Sequence, residues 1–433
     1  MKVVKFGGTS LASADQIKKA VEIIQADEQR QAVVLSAPGK RDSQDIKITD
    51  LLINTHKAKT AGQNYLPTFT KIRARFVELV ELLNVTVDIE AELDYIQEKI
   101  EQGTTLDFVE SRGEYLNSLV MSQALGAEFI DAAEVVRLTV DGRVDPQSYE
   151  LINERVTKVT GRFVVPGFYG TGPDGEIKSF SRGGSDITGA IVARGINAEV
   201  YENWTDVSGI LQADPRIVSE AQPIPEITYT EVRELASCGA SVFHEEAIAP
   251  VRDAGIPINI KNTNSPTDNG TMIVPKRSTD KQPVVGVSGK KPYRILHAEK
   301  FMLNRYPELP GQIKDALSQQ NLFAEFDMKG FDTLAMLVNS NNDFDTTAAS
   351  QYINTNTDVD DCSFGMTVAL VGIVGAGLSS QTGLLGRMLS ALDQNGIEVH
   401  SISYGGSQMT ALVTVNLEDY EKTLKVLVAQ MQS

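Results

Sequence analysis

An α/β fold with a largely parallel central sheet, followed by two small α+β modules, is predicted by three features of the sequence. Apolar strand-like runs alternate with helical stretches from the N-terminus through Ile260. A segment crowded with Pro, Asp, Asn, Gly, Ser and Lys, from Thr267 to Gln282, then breaks the pattern and marks a domain boundary. Beyond it a weak repeat appears, with Ala316-Leu317 and Ala391-Leu392 in two helical stretches about 75 residues apart. Each is followed by a strand, from Leu322 or Ile397, and then by a second, Leu334 to Val338 or Ala411 to Val415. The expected division is residues 1–275, 284–360 and 361–433, the last two interleaved if the second module borrows the strand near Val284 to Val287.

Taken in order, residues 2–6 are a short apolar strand, Gly7-Gly8-Thr9-Ser10 a loop, and Ile17, Ala20, Val21 and Ile24 the apolar stripe of a helix. Ala32 to Leu35 is a second strand, and a long helical stretch runs near Phe76 to Leu83. The spacing predicts a helix from about Leu106 to Leu125, stopped by Gly126. Phe163-Val164-Val165 is a buried strand, Asp186 to Ala193 a helix ending at Gly195, and Glu199 to Trp204 a further strand. A later helix ends at Gly255 before the strand Ile256 to Ile260.

At 433 residues the chain is about three times a typical ~150-residue domain, so more than one core is expected. The formal net charge of −17 argues against nucleic acid or an anionic membrane surface as a partner. No apolar segment of a secretory signal and no membrane-length apolar run is seen, so a cytoplasmic location is expected. Two cysteines, Cys238 and Cys362, fit a reducing compartment and are expected to be buried small hydrophobes. His244-Glu245-Glu246-Ala247-Ile248 lacks the second histidine of a zinc-protease helix, and no metal-ligating residues are expected.

The chemistry concentrates in the first domain. Lys5-Phe6-Gly7-Gly8-Thr9-Ser10 places a cation, two positions without side chains and two hydroxyls at the mouth of a helix, a combination suited to phosphate. It is equally compatible with a plain strand-to-helix turn. Gly39-Lys40 and Gly289-Lys290 lack the upstream glycine and following hydroxyl of a P-loop. Ser181-Arg182-Gly183-Gly184-Ser185-Asp186 again precedes a helix, giving a second anion-receptive entrance, and Arg182 can grip a carboxylate with two parallel bonds. Thr205-Asp206-Val207-Ser208-Gly209 with Asp214-Pro215-Arg216 follows a strand. Gly372-Ile373-Val374-Gly375-Ala376-Gly377 does not have dinucleotide-binding spacing, and the roughly 60 residues from Gly372 onward are too few for such a domain.

Together these segments resemble the amino acid kinase family, and within it the aspartokinases. Lys5 to Ser10 resembles the family's opening signature, Ser111-Arg112-Gly113-Glu114 its helix motif, and Gly167-Phe168-Tyr169-Gly170 its Gly-Phe-Ile-Gly turn. Arg182 to Asp186 resembles its Arg-Gly-Gly-Ser-Asp loop, and Thr205-Asp206-Val207 through Arg216 its nucleotide segment. The C-terminal repeats resemble paired ACT modules of βαββαβ type. The resemblance thus implies a three-layer kinase fold followed by two ACT modules. The sequence departs from the family at Leu211, where Tyr is common near the adenine, at Tyr169 and at Ser181.

The resemblance implies MgATP-dependent phosphorylation of the β-carboxylate of L-aspartate, the first step towards lysine, threonine and methionine. A carboxylate with an ordinary pKa of about 3.9 needs no general base; the reaction needs charge neutralisation and in-line placement. By resemblance, Lys5 and Asp186 are the catalytic pair, and Ser36, Thr49, Phe168 and Ser185 shape the substrate pocket. Arg182 is expected on the α-carboxylate and Glu114 on the α-ammonium. Lys5, Gly7, Gly8, Thr9, Ser10, Thr205, Asp206, Leu211 and Arg216 are expected to meet the nucleotide, with Lys261 near phosphate. Met302 and Glu325 are expected at an effector site for lysine, threonine or both, and the ACT modules at the contacts of a homodimer or homotetramer. A kinase for another acidic substrate, such as acetylglutamate, and a catalytically silent amino-acid sensor remain the alternatives.

Overall fold

The computed structural model describes residues 1–181, 183–240 and 245–432, the last segment without the side chain of its first residue; Arg182 and His244 lie outside the described residues. The chain separates into two units. The first comprises Met1–Ile210, Pro223–Tyr229 and a stretch ending at Arg277; the second comprises Leu211–Gln222, a stretch beginning at Thr230, and the chain from Ser278 onward.

The first unit is built on strands β1 (Lys2–Phe6), β2 (Arg30–Leu35), β3 (Glu128–Phe129), β4 (Phe163–Pro166), a separate hairpin of β5 (Tyr169–Thr171) and β6 (Ile177–Ser179), β7 (Val200–Thr205), β8 (Glu226–Thr228), β9 (Ile258–Asn262) and β10 (Thr271–Val274). Its main sheet has the order β3-β4-β2-β1-β7-β9-β10-β8. All neighbours from β3 to β9 are parallel, and β10 turns the direction by pairing antiparallel with β9. The unit's helices are α1 (Ala14–Gln25), α2 (Ile48–Thr60), α3 (Leu66–Leu83), α4 (Ile89–Gln102), α5 (Leu106–Leu125), α6 (Ala132–Val135), α7 (Gln147–Val156), α8 (Gly184–Gly195) and α10 (Glu245–Ala254), while α9 (Tyr229–Ser237) belongs from Thr230 onward to the second unit.

Side chains alternate across a strand, and the two faces of the sheet are sorted accordingly. Val4 and Phe6 of β1, Leu35 of β2, Val164 of β4 and Trp204 of β7 share one apolar core with α1 to α5. The intervening residues face the other side, where α8 packs on β1, β2 and β7. Helix α5 ends where the sequence predicts, its backbone turning left-handed at Gly126 with φ 60°.

The second unit contains β11 (Gly286–Glu299), α11 (Leu309–Ser318), β12 (Ala324–Lys329), β13 (Thr333–Asn339), α12 (Thr346–Asn356), β14 (Asp361–Val374), α13 (Gly377–Ser380), α14 (Leu384–Gln394), β15 (Val399–Tyr404), β16 (Thr410–Asn416) and α15 (Tyr420–Gln432). One antiparallel sheet runs β12-β13-β11-β14-β16-β15. The long strands β11 and β14 lie side by side from Gly286 opposite Val374 to Glu299 opposite Asp361. The first half of β11 thus borders the strands of the second repeat, while its second half pairs with β13 of the first. Helices α11 and α12 cover Leu296, Leu334, Met336 and Val338; α14 and α15 cover Val371, Ile373, Ala411 and Val413. Ala213 and Val218, from the stretch after Ile210, complete that second core, and the Gln212 carbonyl accepts a hydrogen bond from Val287 N at 2.8 Å. Cys238 and Cys362 are both buried, which raises their thiols to about 11 and about 12.

Candidate active site

In a parallel sheet, ligands are received where the strands end at their carboxyl side, because the connecting loops and the positive helix N-termini converge there. Four of the singled-out segments fall at that edge: Gly7 to Ser10 after β1, Ser36 after β2, Gly167-Phe168 after β4, and Thr205-Asp206 at the end of β7. Helix α8 begins at Gly184, after Gly183 in a left-handed conformation at φ 60°.

Lys5 is the penultimate residue of β1 and points to the α8 side. It is buried, and its Nζ lies 2.6 Å from Oδ1 of Asp186, the third residue of α8. A carboxylate in the first turn of a helix is favoured by the helix dipole. Asn203 is the register partner of Lys5 on β7, and its Nδ2 donates to the same Asp186 oxygen at 2.9 Å. One step back along the same face, the Tyr201 hydroxyl donates to the Asp186 carbonyl at 3.1 Å.

The glycine loop is held against the loop that follows β2. Gly7 N donates to the Trp204 carbonyl at 3.0 Å, and Gly39 N donates to the Gly8 carbonyl at 2.8 Å. A Cβ on Gly39 would sit 2.6 Å from the carbonyl carbon and oxygen of Gly8, so this approach requires glycine. Gly39→Ala is expected to cost about 1–3 kcal/mol of stability, checked by chemical denaturation; an unchanged midpoint would mean that the two loops part freely. Arg75 of α3, buried, clasps both loops. Its guanidinium donates to the Ala12 carbonyl, to the Gly39 carbonyl at 3.2 Å and to Asp45 at 2.8 Å. Burial alone would raise the Asp45 carboxyl, but hydrogen bonds from Arg41 and Arg75 outweigh it and hold that group well below the usual carboxylate range. Thr9 is exposed, whereas Ser10 is buried with its hydroxyl 2.7 Å from that of Thr263.

Glu114 lies midway along α5, where Gly113 lets the helix close on Ala37; a Cβ there would meet the Ala37 Cβ at 2.8 Å. Burial pushes the Glu114 carboxyl up to about 8, only partly offset by a hydrogen bond from the Ala37 backbone. Its Oε2 has no hydrogen-bond partner. Asn117 and Ser118, three and four residues on, share this helix face. Asn117 donates to the Ser36 carbonyl at 2.8 Å, while its Oδ1 and the Ser118 hydroxyl are also buried and unpartnered. Such orphaned acceptors are uncommon in a folded interior and mark a polar space.

Phe168 has φ 80° and donates its N–H to the Thr188 hydroxyl at 3.1 Å, which in turn donates to the Gly184 carbonyl at 3.0 Å. That turn brings Gly167 so close to Ser185 that a Cβ would meet its side chain at 2.6 Å. Ser185 is buried; Thr49 is half-buried at the second position of α2, beside Ile48, which packs at Gly113. At the end of β7, the Thr205 hydroxyl bonds Asp206 at 3.2 Å. Lys261 lies over the Trp204 ring at 5.3 Å and donates to the Asp268 carbonyl at 2.8 Å, and burial lowers its pKa.

The structure therefore gathers Lys5, Asp186, Gly7, Gly8, Ser36, Glu114, Phe168, Ser185 and Thr205-Asp206 on one edge of the first unit's sheet. Leu211 and Arg216 belong to the second unit. Leu211 is half-buried there, and Arg216 is largely exposed and gripped by Asp214 at 2.6 Å. Also in that unit, Met302 follows β11 in a left-handed turn with its N–H on Asp332 at 2.9 Å. Glu325 on β12 accepts from Lys290 and from the Tyr293 hydroxyl, each at 2.8 Å; these bonds overcome burial and lower its pKa.

Among the described residues no group of three or more His, Cys, Asp or Glu is arranged to hold a metal ion. The oxygens present, the second carboxylate oxygen of Asp186 and the unpartnered Asn203 Oδ1, are of the hard type that suits Mg²⁺. Such a site fits an ion carried in on nucleotide phosphates.

A model of the amino acid kinase family matches residues 1–262, and a model of the ACT domain matches residues 371–431. The chain is 32% identical over 450 residues to aspartokinase 3 of Bacillus subtilis (strain 168), covering 99% of this chain and 98% of that one. It is 26% identical to the lysine-sensitive aspartokinase 3 of Escherichia coli K12, covering 98% of each. The crystal structure of Clostridium acetobutylicum aspartate kinase superposes with a TM-score of 0.93 at 39% identity, covering 99% of both chains. With its mostly parallel kinase sheet, its antiparallel ACT-type sheet and relatives matched along nearly their whole length, the chain belongs to the amino acid kinase family and, within it, to the aspartokinases, which are phosphotransferases.

Proposed function

We propose that this chain transfers the γ-phosphoryl group of ATP to the β-carboxylate of L-aspartate, giving 4-phospho-L-aspartate and ADP. The observation that carries the reading is Glu114, a buried carboxyl with an unpartnered oxygen, on the same sheet edge as the Lys5–Asp186 pair. An amino acid's α-ammonium supplies the donors that this oxygen lacks, and an N-acylated substrate does not. The β-carboxylate is already ionised at neutral pH; its oxygen bonds to the γ-phosphorus as the bond to the ADP oxygen breaks, and no base is required. Lys5 and the amide of Gly8 neutralise charge on the transferring group, with Gly7, whose own amide is held by the Trp204 carbonyl, and Ser36 beside it. Asp186, together with the nucleotide's phosphates, would hold Mg²⁺, which would supply further neutralisation of phosphate charge.

Arg182 is assigned to the α-carboxylate, with Thr49, Phe168 and Ser185 shaping the pocket. Thr9, Ser10, Thr205, Asp206, Leu211 and Arg216 are assigned to the nucleotide. Residues 1–275 then form the catalytic part, and residues 284–360 and 361–433 form two regulatory modules. We assign Met302 and Glu325 to an effector site for lysine, threonine or both, in keeping with the lysine-sensitive E. coli relative. The Glu325 carboxylate already receives an ammonium, that of Lys290, and so has the chemistry to receive a ligand's. The reading places the enzyme in the cytoplasm, at the first step towards lysine, threonine and methionine. Assembly as a homodimer or homotetramer would use the ACT modules, whose sheet ends in unpaired edges at β12 and β15.

The test is ADP release from MgATP with L-aspartate, L-glutamate or N-acetyl-L-glutamate, each with and without lysine and threonine. Aspartate-dependent turnover, suppressed by at least one effector, is expected. Turnover with N-acetyl-L-glutamate but not aspartate would remove Glu114 from the ammonium role.

A further inference from the structure

We propose that Asn203 is a positioning residue for phosphoryl transfer: its side-chain amide donor sets the rotation of the Asp186 carboxylate against Lys5. The proposal rests on the functional reading above only for the reaction by which it is measured.

Register and strand parity place Asn203 where it can act. It stands beside Lys5 on the neighbouring parallel strand, with both side chains directed at the first turn of α8. Lys5 Nζ and Asn203 Nδ2 reach the same oxygen, Oδ1 of Asp186, at 2.6 and 2.9 Å. The Asp186 side chain is 19% exposed. Two donors converging on one oxygen fix the carboxylate's rotation. With the amide gone, the carboxylate is free to turn both oxygens to Lys5, which draws the ammonium away from an incoming phosphate and screens its charge.

The state of the amide is a second, independent observation. Asn203 is 6% exposed, and its Oδ1 is buried without a partner. Rotating the amide would set that oxygen against a carboxylate oxygen, so the observed orientation is the one Asp186 permits. A buried amide that leaves its acceptor unsatisfied is an unfavourable choice for a strand residue whose only task is packing. The position of α8 does not depend on it, since the Tyr201 hydroxyl holds the Asp186 carbonyl. Among the described residues, the Asn203 side chain hydrogen-bonds Asp186 alone.

Two variants separate donor from bulk. Asn203→Leu keeps the branched outline, at somewhat larger volume, and removes the donor; kcat is expected to fall about tenfold or more, with KM for ATP and for aspartate within about twofold. Asn203→Asp keeps the shape but sets a second carboxylate against the first. Its kcat is expected to fall at least as far as that of Asn203→Leu, again with both KM values within about twofold, whereas a packing role would leave this variant of unchanged shape near wild-type activity. A kcat within twofold of wild type in either variant would overturn the proposal. The crystal structure of Asn203→Leu gives a readout independent of the acceptor: the Asp186 carboxylate is expected to have turned relative to Lys5, and an unchanged pair would count against the proposal. Should wild-type protein fail to turn over aspartate, the functional reading falls, and this structural comparison still decides the role of Asn203.

Discussion

Lys5→Met is expected to lower kcat by about three orders of magnitude, or ~4 kcal/mol of transition-state stabilisation, while the protein stays folded. The size follows from where the charge sits. Lys5 is buried at the end of β1, its ammonium is held by Asp186, and the glycine loop follows within two residues. A preorganised cation in a partly desolvated site acts far more strongly on a phosphoryl group than one in water. Methionine keeps the unbranched apolar stem, and the Asp186 carboxylate it leaves behind is open enough to solvent to stay hydrated. Steady-state kinetics with melting curves on the same samples provide the check. A kcat within tenfold of wild type would place the phosphoryl-binding charge elsewhere.

Glu114→Gln is expected to lower kcat/KM for aspartate by about a hundredfold or more, ~3 kcal/mol, while leaving the KM for ATP nearly unchanged. It should also make the folded protein more stable. Burial holds the native carboxyl up at about 8, so at neutral pH the empty site carries it protonated. The unfolded chain ionises this group near ~4.3. Between the two values the native state binds more protons, so this group's contribution to stability is full below ~4.3, falls as pH rises, and is lost above about 8. Glutamine escapes that loss, and a gain of a few kcal/mol, on the order of 2–4, is expected at pH 8 by urea titration. The same proton governs binding. An α-ammonium pairs with the carboxylate and not the acid, so aspartate uptake by wild type releases a proton, and affinity should strengthen from pH 6 to about 8 and then level. In Glu114→Gln that slope should vanish. A flat profile in wild type would mean that the ammonium does not meet Glu114.

The alternation of apolar runs and helical stripes made the parallel sheet legible, because buried parallel strands are continuous apolar segments. Helix α4 is absent from that reading: Ile89, Leu93, Ile96 and Ile100 share one face, but they lie among acidic residues that mimic a solvated linker. The glycine loops mark the edge where Lys5, Asp186 and Phe168 meet, since close backbone approach demands glycine whatever the surrounding sequence. Arg75 carried a readable sign: a charge between Ile72, Phe76 and Leu79 on the buried stripe of α3 needs a buried partner. Asn203 carried none. Its place beside Lys5 depends on which strands become neighbours, and a single polar residue in an apolar strand does not disclose that.

The second core has a consequence for how the chain can be cut. Ala213 and Val218 are side chains of the catalytic stretch by sequence, yet their apolar partners include Val284, Val287, Leu424 and Leu427. A protein ended after Arg277 would leave those two side chains, and the Gln212 carbonyl that Val287 satisfies, facing water. The boundary that composition draws near Thr267 to Gln282 is therefore not a seam along which a self-sufficient kinase can be excised. Gene fusions and domain transplants in this architecture must carry the C-terminal α+β modules along or redesign the segment Leu211–Gln222.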